Sequence, residues 1–125
     1  MTKTIKYRFA TVIIDEDLVI ATMNEGITIV SEHNNELERI ANKYFKDKPF
    51  VYISNRTNSY SIDPSTYLRT SHIDNLIGFA VVSETQIVLS NTQLEKLFMD
   101  KPFQAFTTIE KAKQWAKELL VQHHI

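Results

Sequence analysis

The run Ser54-Asn55-Arg56-Thr57-Asn58-Ser59-Tyr60-Ser61 concentrates side chains that donate or accept hydrogen bonds. Arg56 offers a planar fork of donors that matches a carboxylate or phosphate through two parallel hydrogen bonds. Ser54, Asn55, Asn58, Ser59, Tyr60 and Ser61 supply groups able to orient a bound ligand or partner. Another reading is a purely structural loop, because Ser and Asn side chains also bond their own neighbouring backbone. Ser59 and Ser61 are further candidates for phosphorylation. They precede Asp63-Pro64, where a helix should open, and a phosphate adds roughly −1.5 to −2 charge where the helix dipole favours it. The plainer reading makes them capping-region serines.

Chemistry beyond binding finds little material. The chain has no cysteine, which excludes disulfides, thiolate nucleophiles and cysteine metal sites. Of His33, His72, His123 and His124, the last two are adjacent and project about 100° apart on a helix, so they miss the i, i+4 spacing of a helical metal site. No Gly-x-Ser-x-Gly elbow occurs, and the two glycines, Gly26 and Gly78, cannot make a phosphate-cradling loop. The expectation is a non-enzymatic domain with no cofactor and no metal. Trp115 fits the apolar stripe of the last helix better than a ligand platform.

The loop must be held by flanking elements. Tyr7 to Ile14 and Leu18 to Met23 read as an antiparallel hairpin turning at Asp15-Glu16-Asp17, at one edge of a sheet. Ile27, Val30, Leu37, Ile40, Ala41 and Tyr44 recur at helical spacing, which predicts a helix over 28–46 with Thr28 as N-cap. Phe50-Val51-Tyr52-Ile53 and Leu76 to Val82 are short apolar runs of the kind buried in parallel sheets. Asp63-Pro64 opens a helix to about Asn75. Ser90 with Gln93, and Thr107 with Glu110, read as capping boxes of two more helices. The first carries Leu94, Leu97 and Phe98 as its apolar stripe; Met99 or Phe98 marks a contact patch if exposed, the alternative being burial under the Phe103 strand. The second carries Ile109, Ala112, Trp115, Ala116, Leu119 and Leu120. Pro102 to Phe106 is a short edge strand. The fold class is therefore α/β: one mixed, mostly parallel sheet with an N-terminal antiparallel hairpin and about four helices, in the order β-β-α-β-α-β-α-β-α.

Length and composition agree with one globular domain over residues 1–125. Hydrophobic residues make up 43% and charged residues 23%, both near the globular average. Lys plus Arg is 14 against 15 Asp plus Glu, so the basic excess of a nucleic-acid binder is missing. No apolar run reaches the length of a membrane span, and no apolar h-region of a signal peptide follows Met1 to Arg8. Without cysteines, a cytoplasmic location is expected.

The opening hairpin, Asn24-Glu25-Gly26, the run from Lys48 to Arg56 and the Phe103 to Glu110 ending together resemble the STAS domain, in its STAS/Sec14-like variant, similar to the bacterial anti-sigma-factor antagonist. The resemblance covers essentially the whole chain. It implies a small bacterial binding or regulatory module without enzymatic activity. Its best-known members carry a phosphorylatable serine in an Asp-Ser-Ser-Gly-Leu-like loop. Here the matching loop reads Asn58-Ser59-Tyr60-Ser61-Ile62-Asp63-Pro64, with no glycine.

Two functions follow, and an enzyme built on the loop 54–63 is a third alternative. A module that binds a protein partner, or itself as a homodimer, should expose an apolar patch beside Ser54–Asp63 or on the third helix. A carrier of a small apolar ligand should enclose a cavity of roughly a few hundred Å³ between the sheet and the second helix, lined by Tyr52, Tyr60, Tyr67 and Phe79.

Overall fold

In a computed structural model the protein is described over residues 2–58 and 61–124. In chain order the elements are β1 (Thr2–Lys6), β2 (Ala10–Asp15), β3 (Leu18–Met23), β4 (Thr28–Ile29), α1 (Asn34–Ile40), β5 (Phe50–Asn55), β6 (Ser61–Ile62), α2 (Thr66–Thr70), β7 (Leu76–Val82), α3 (Gln86–Glu95), β8 (Phe103–Phe106) and α4 (Ile109–His124). Six strands form one sheet in the order β1-β2-β3-β5-β7-β8. The first three are antiparallel neighbours, whereas β3, β5, β7 and β8 run parallel. The expected mostly parallel sheet with an antiparallel start is present. Val51 and Val81 lie in adjacent parallel strands, both fully buried.

Side chains alternate along each strand, so the sheet has two apolar faces. Val12, Val19, Tyr52, Phe79 and Phe103 pack beneath Leu37 and Ile40 of α1 and Tyr67 of α2. Ile20, Val51, Ile53 and Ala80 pack beneath Ala112, Ala116 and Leu120 of α4. A Cβ added at Gly78 would come within 2.4 Å of Leu119 Cδ2 and 3.2 Å of Trp115 Cη2, so the bare glycine lets α4 approach the sheet.

Several expected boundaries move, each for a local reason. The first strand starts at Ala10 rather than Tyr7, because Tyr7 N–H donates to Ala10 O (2.8 Å) across a turn. The preceding residues form the additional strand β1, which takes the sheet edge expected for the hairpin. Thr28 is not an N-cap. It belongs to β4, which pairs in parallel with β6. Helical structure begins after Val30, as a 3-10 turn over Ser31–His33, and the usual cap is replaced by a ring: Val30 N–H donates to His33 Nδ1 at 2.9 Å. The run ends in a π turn over Ala41–Phe45, closed by Lys46 in the left-handed region (φ 43).

Helix α2 stops at Thr70, not near Asn75, because Thr70 O and Ile73 O accept the tighter turn bonds from Ile73 and Leu76 N–H. Ser90 and Gln93 do not cap a helix. Ser83 Oγ accepts Thr85 N–H (3.1 Å) and α3 starts at Gln86, leaving both residues inside it. Thr108, not Thr107, caps α4, its Oγ1 accepting Lys111 N–H at 3.3 Å.

Candidate functional site

The residues at the carboxyl end of β5 divide into inward and outward sets. Ser54 and Asn55 are the last residues of β5 rather than loop, and Ser54 is buried. Arg56 follows, its N–H donating to Val82 O at the end of β7 (2.9 Å). The fork of donors expected to take a carboxylate does take one, and it is internal. Arg56 Nη1 donates to Glu95 Oε2 (2.9 Å) and Nη2 to Glu95 Oε1 (2.6 Å). Nη2 also reaches Tyr67 Oη (2.9 Å), and Nε reaches Ser54 Oγ (3.3 Å). Tyr67 Oη donates to Glu95 Oε1. The side chains of Arg56 and Glu95 are only 7% and 6% exposed, so this network ties β5, α2 and α3 together in a site largely closed to water.

This pairing sets the rotation of α3 and overturns its expected stripe. With Glu95 and Thr92 turned inward, neighbours 100° apart on the helix must turn away. Leu94 and Leu97 are 57% and 79% exposed, and Ile87 is 72% exposed. Phe98 is half-buried, and Met99 is buried rather than exposed. The third helix therefore buries two polar residues on its inner side, beside half-buried Val88 and Leu89, and exposes Ile87 and Leu94 among the polar residues of its outer side.

Beside the outer stripe runs a groove of about 570 Å³, walled by Ile87, Asn91 and Leu94 on one side and by Asn58, Ser61 and Pro64 on the other. Asn58 is fixed at its base by donating Nδ2 to Met23 O (2.9 Å). Ser59 and Tyr60 lie outside the described residues.

No protein-family model matches the chain, and no curated protein matches it either. Among solved structures, an uncharacterised DUF3478-family protein with a SpoIIAA-like fold, from Shewanella loihica PV-4, superposes with a TM-score of 0.54. The match covers 93% of this chain and 92% of that one, at 13% sequence identity. The chain has a SpoIIAA-like fold. This agrees with the STAS resemblance read from the opening hairpin and the Lys48 to Arg56 run.

On this SpoIIAA-like scaffold Ser61 stands in β6, exposed, its N–H donating to Ile27 O (2.9 Å). It does not sit at the start of α2. Ser65 holds that place, two residues past the expected Asp63 cap, and the Asp63 carboxylate accepts Ser65 N–H at 3.0 Å in the turn before it. Among the described residues no group of three or more His, Asp or Glu is placed to hold a metal, and no helix is long and apolar enough to cross a membrane.

An apolar cavity of about 60 Å³ lies between the sheet and helices α1 and α2, roofed by Ile29 of β4 and Ile62 of β6. Tyr52, Tyr67 and Phe79 line it as expected, but it is well below the roughly 300 Å³ at which drug-sized ligand pockets begin. Thr66 also lines it, and its buried hydroxyl has no hydrogen-bond partner among the described residues. Sequence reasoning missed Glu95 and the outward turn of Ile87. The only signal available was a carboxylate inside an otherwise uncharged helix turn, which reads equally well as a solvated residue.

Proposed function

We propose that this chain is a non-enzymatic, cytoplasmic binding module of STAS type that recognises a protein partner through the outer face of α3 and the adjoining groove. The observation that carries this reading is the rotation of α3: Glu95 and Thr92 are buried while Ile87, Leu94 and Leu97 face solvent. Exposed apolar side chains gathered on one face mark contact sites more often than scattered ones do. Arg56 acts in this reading as a positioning residue, because its hold on Glu95 keeps Leu94 outward. Ser61 lines the same groove, so a phosphate there would set roughly two negative charges beside the apolar stripe and weaken docking.

The test is affinity capture with the intact chain against Ile87→Ser/Leu94→Ser, both checked for an unchanged melting temperature. Loss of one defined protein with the variant supports the reading. Identical capture by both, or a homodimer dissolved by the double variant, removes the distinct partner.

A second reading, carriage of a small apolar ligand, is favoured by the cavity under β4 and β6 and by the Thr66 hydroxyl, which has no partner among the described residues. Its size restricts the occupant to a few heavy atoms. Native mass spectrometry returning a bare chain would count against it.

A further inference from the structure

The free edge of β8 is the second surface without a partner. Phe79 N–H donates to Pro102 O (2.9 Å) and Ser83 N–H to Phe106 O (3.0 Å), so the even-numbered backbone groups of this strand point toward β7. By the alternation of a parallel ladder, the N–H and C=O groups of Phe103 and Ala105 point away from the sheet. Among the described residues none of these outward groups makes a backbone hydrogen bond to another element. Proteins usually blunt such an edge with an inserted charge, a proline, a bulge or a cover. Lys101 and Pro102 directly precede it, but the four residues Phe103–Phe106 themselves include no charge, proline or bulge.

The edge opens into a groove of about 580 Å³ between α3 and the first turn of α4. Its walls include Lys96 and Lys111 together with Gln86, Ser90, Gln93 and Thr107, and no carboxylate of the described residues lines it. This groove lies on the opposite flank of α3 from Ile87 and Leu94, so the two surfaces are independent.

We infer that the β8 edge accepts an extended acidic peptide segment of a partner protein, added as a seventh strand. Main-chain hydrogen bonds to Phe103 and Ala105 supply the register, as in other strand-addition complexes. Lys96 and Lys111 select the charge of the incoming side chains. About four residues, roughly 13 Å of extended chain, match the strand. A second copy of this chain is the poorer occupant, because edge-to-edge pairing would bring both copies' lysine-lined grooves together.

The test uses fluorescence anisotropy with the full chain and three labelled peptides: Glu-Val-Glu-Val-Glu, Lys-Val-Lys-Val-Lys, and the acidic peptide N-methylated at alternate residues. The acidic peptide should bind and weaken as salt rises, the basic one should not bind, and N-methylation should weaken binding by about tenfold, as expected for loss of two hydrogen bonds. Ala105→Pro removes one outward N–H without touching the β7 ladder and should weaken acidic-peptide binding by about fivefold. If that variant fails to fold, the N-methylated peptide decides. Equal binding of the acidic and basic peptides, indifference to N-methylation, or a homodimer held through β8 would each overturn the inference.

Discussion

Glu95→Ala should be among the most damaging single substitutions on the surface-facing elements, and its cost can be worked from the contacts. The change removes the acceptor of two Arg56 donors at 2.9 and 2.6 Å and of the Tyr67 hydroxyl. Arg56 keeps Ser54 Oγ at 3.3 Å and Tyr67 Oη at 2.9 Å, but loses the carboxylate that meets its buried charge at 2.6 Å. Breaking a buried pair in this way costs about 3–5 kcal/mol, most of it from the charge left behind. For a domain of this size that lowers the melting temperature by about 10–20 °C. Glu95→Gln should cost less, about 1.5–3 kcal/mol, since one carbonyl acceptor survives. The double variant Arg56→Met/Glu95→Leu removes both charges and should recover most of the loss. Urea unfolding followed by circular dichroism measures all four proteins. A Glu95→Ala cost below about 1 kcal/mol, within the range of exposed pairs, or a double variant no better than the single one, would refute the buried-pair account.

Other substitutions probe separate parts of the fold. Ile87→Ser and Leu94→Ser should each change stability by no more than about 0.5 kcal/mol, because both side chains already face solvent; equilibrium unfolding checks this. Gly78→Ala should destabilise by about 1–3 kcal/mol, because its methyl meets Leu119 and Trp115 beneath α4. Thr66→Val should be neutral or stabilising, since the hydroxyl it removes is buried without a partner among the described residues; a fall in melting temperature would reveal a bond to that oxygen. Tyr7 has its pKa raised above 10.0, first by burial and then by Glu36. The folded chain therefore holds this proton more tightly than the unfolded one. Its contribution to stability is intact below pH 10 and declines as pH rises through the raised folded value. Tyr7→Phe should flatten that decline in unfolding curves recorded from pH 9 to 12.

The parts of the fold legible in the residues are those with strong periodicity and burial. Leu76 to Val82 is an unbroken apolar run, and Ile109 to Leu120 repeats at helical spacing, so strand and helix follow directly. Strand β1 carries no such signal. Thr2–Lys6 is polar except for Ile5 and stays exposed at every other position even when paired. Strands β4 and β6 are two residues each, too short for any period, and exist only because they meet each other. The π turn at Ala41–Phe45 and the His33 ring cap use residues with no particular preference for those roles. The working face of α3 was hidden for a different reason. Its rotation is set by a side-chain pair 39 residues apart in the chain, so Leu94 and Leu97 look like core in sequence and are surface in space. The Arg56 fork was legible as a carboxylate holder; that the carboxylate is Glu95 was not.

The outer face of α3 is open to a direct measurement, with a built-in comparison on α4. Val121 is 62% exposed against 57% for Leu94, but sits on a helix whose inner side is ordinarily apolar. A photo-crosslinking amino acid placed at Leu94 in living cells should yield one discrete adduct with another protein, absent from the same probe at Val121 and abolished by Ile87→Ser. Adducts equal at both positions, or none at Leu94, would contradict a partner surface on α3.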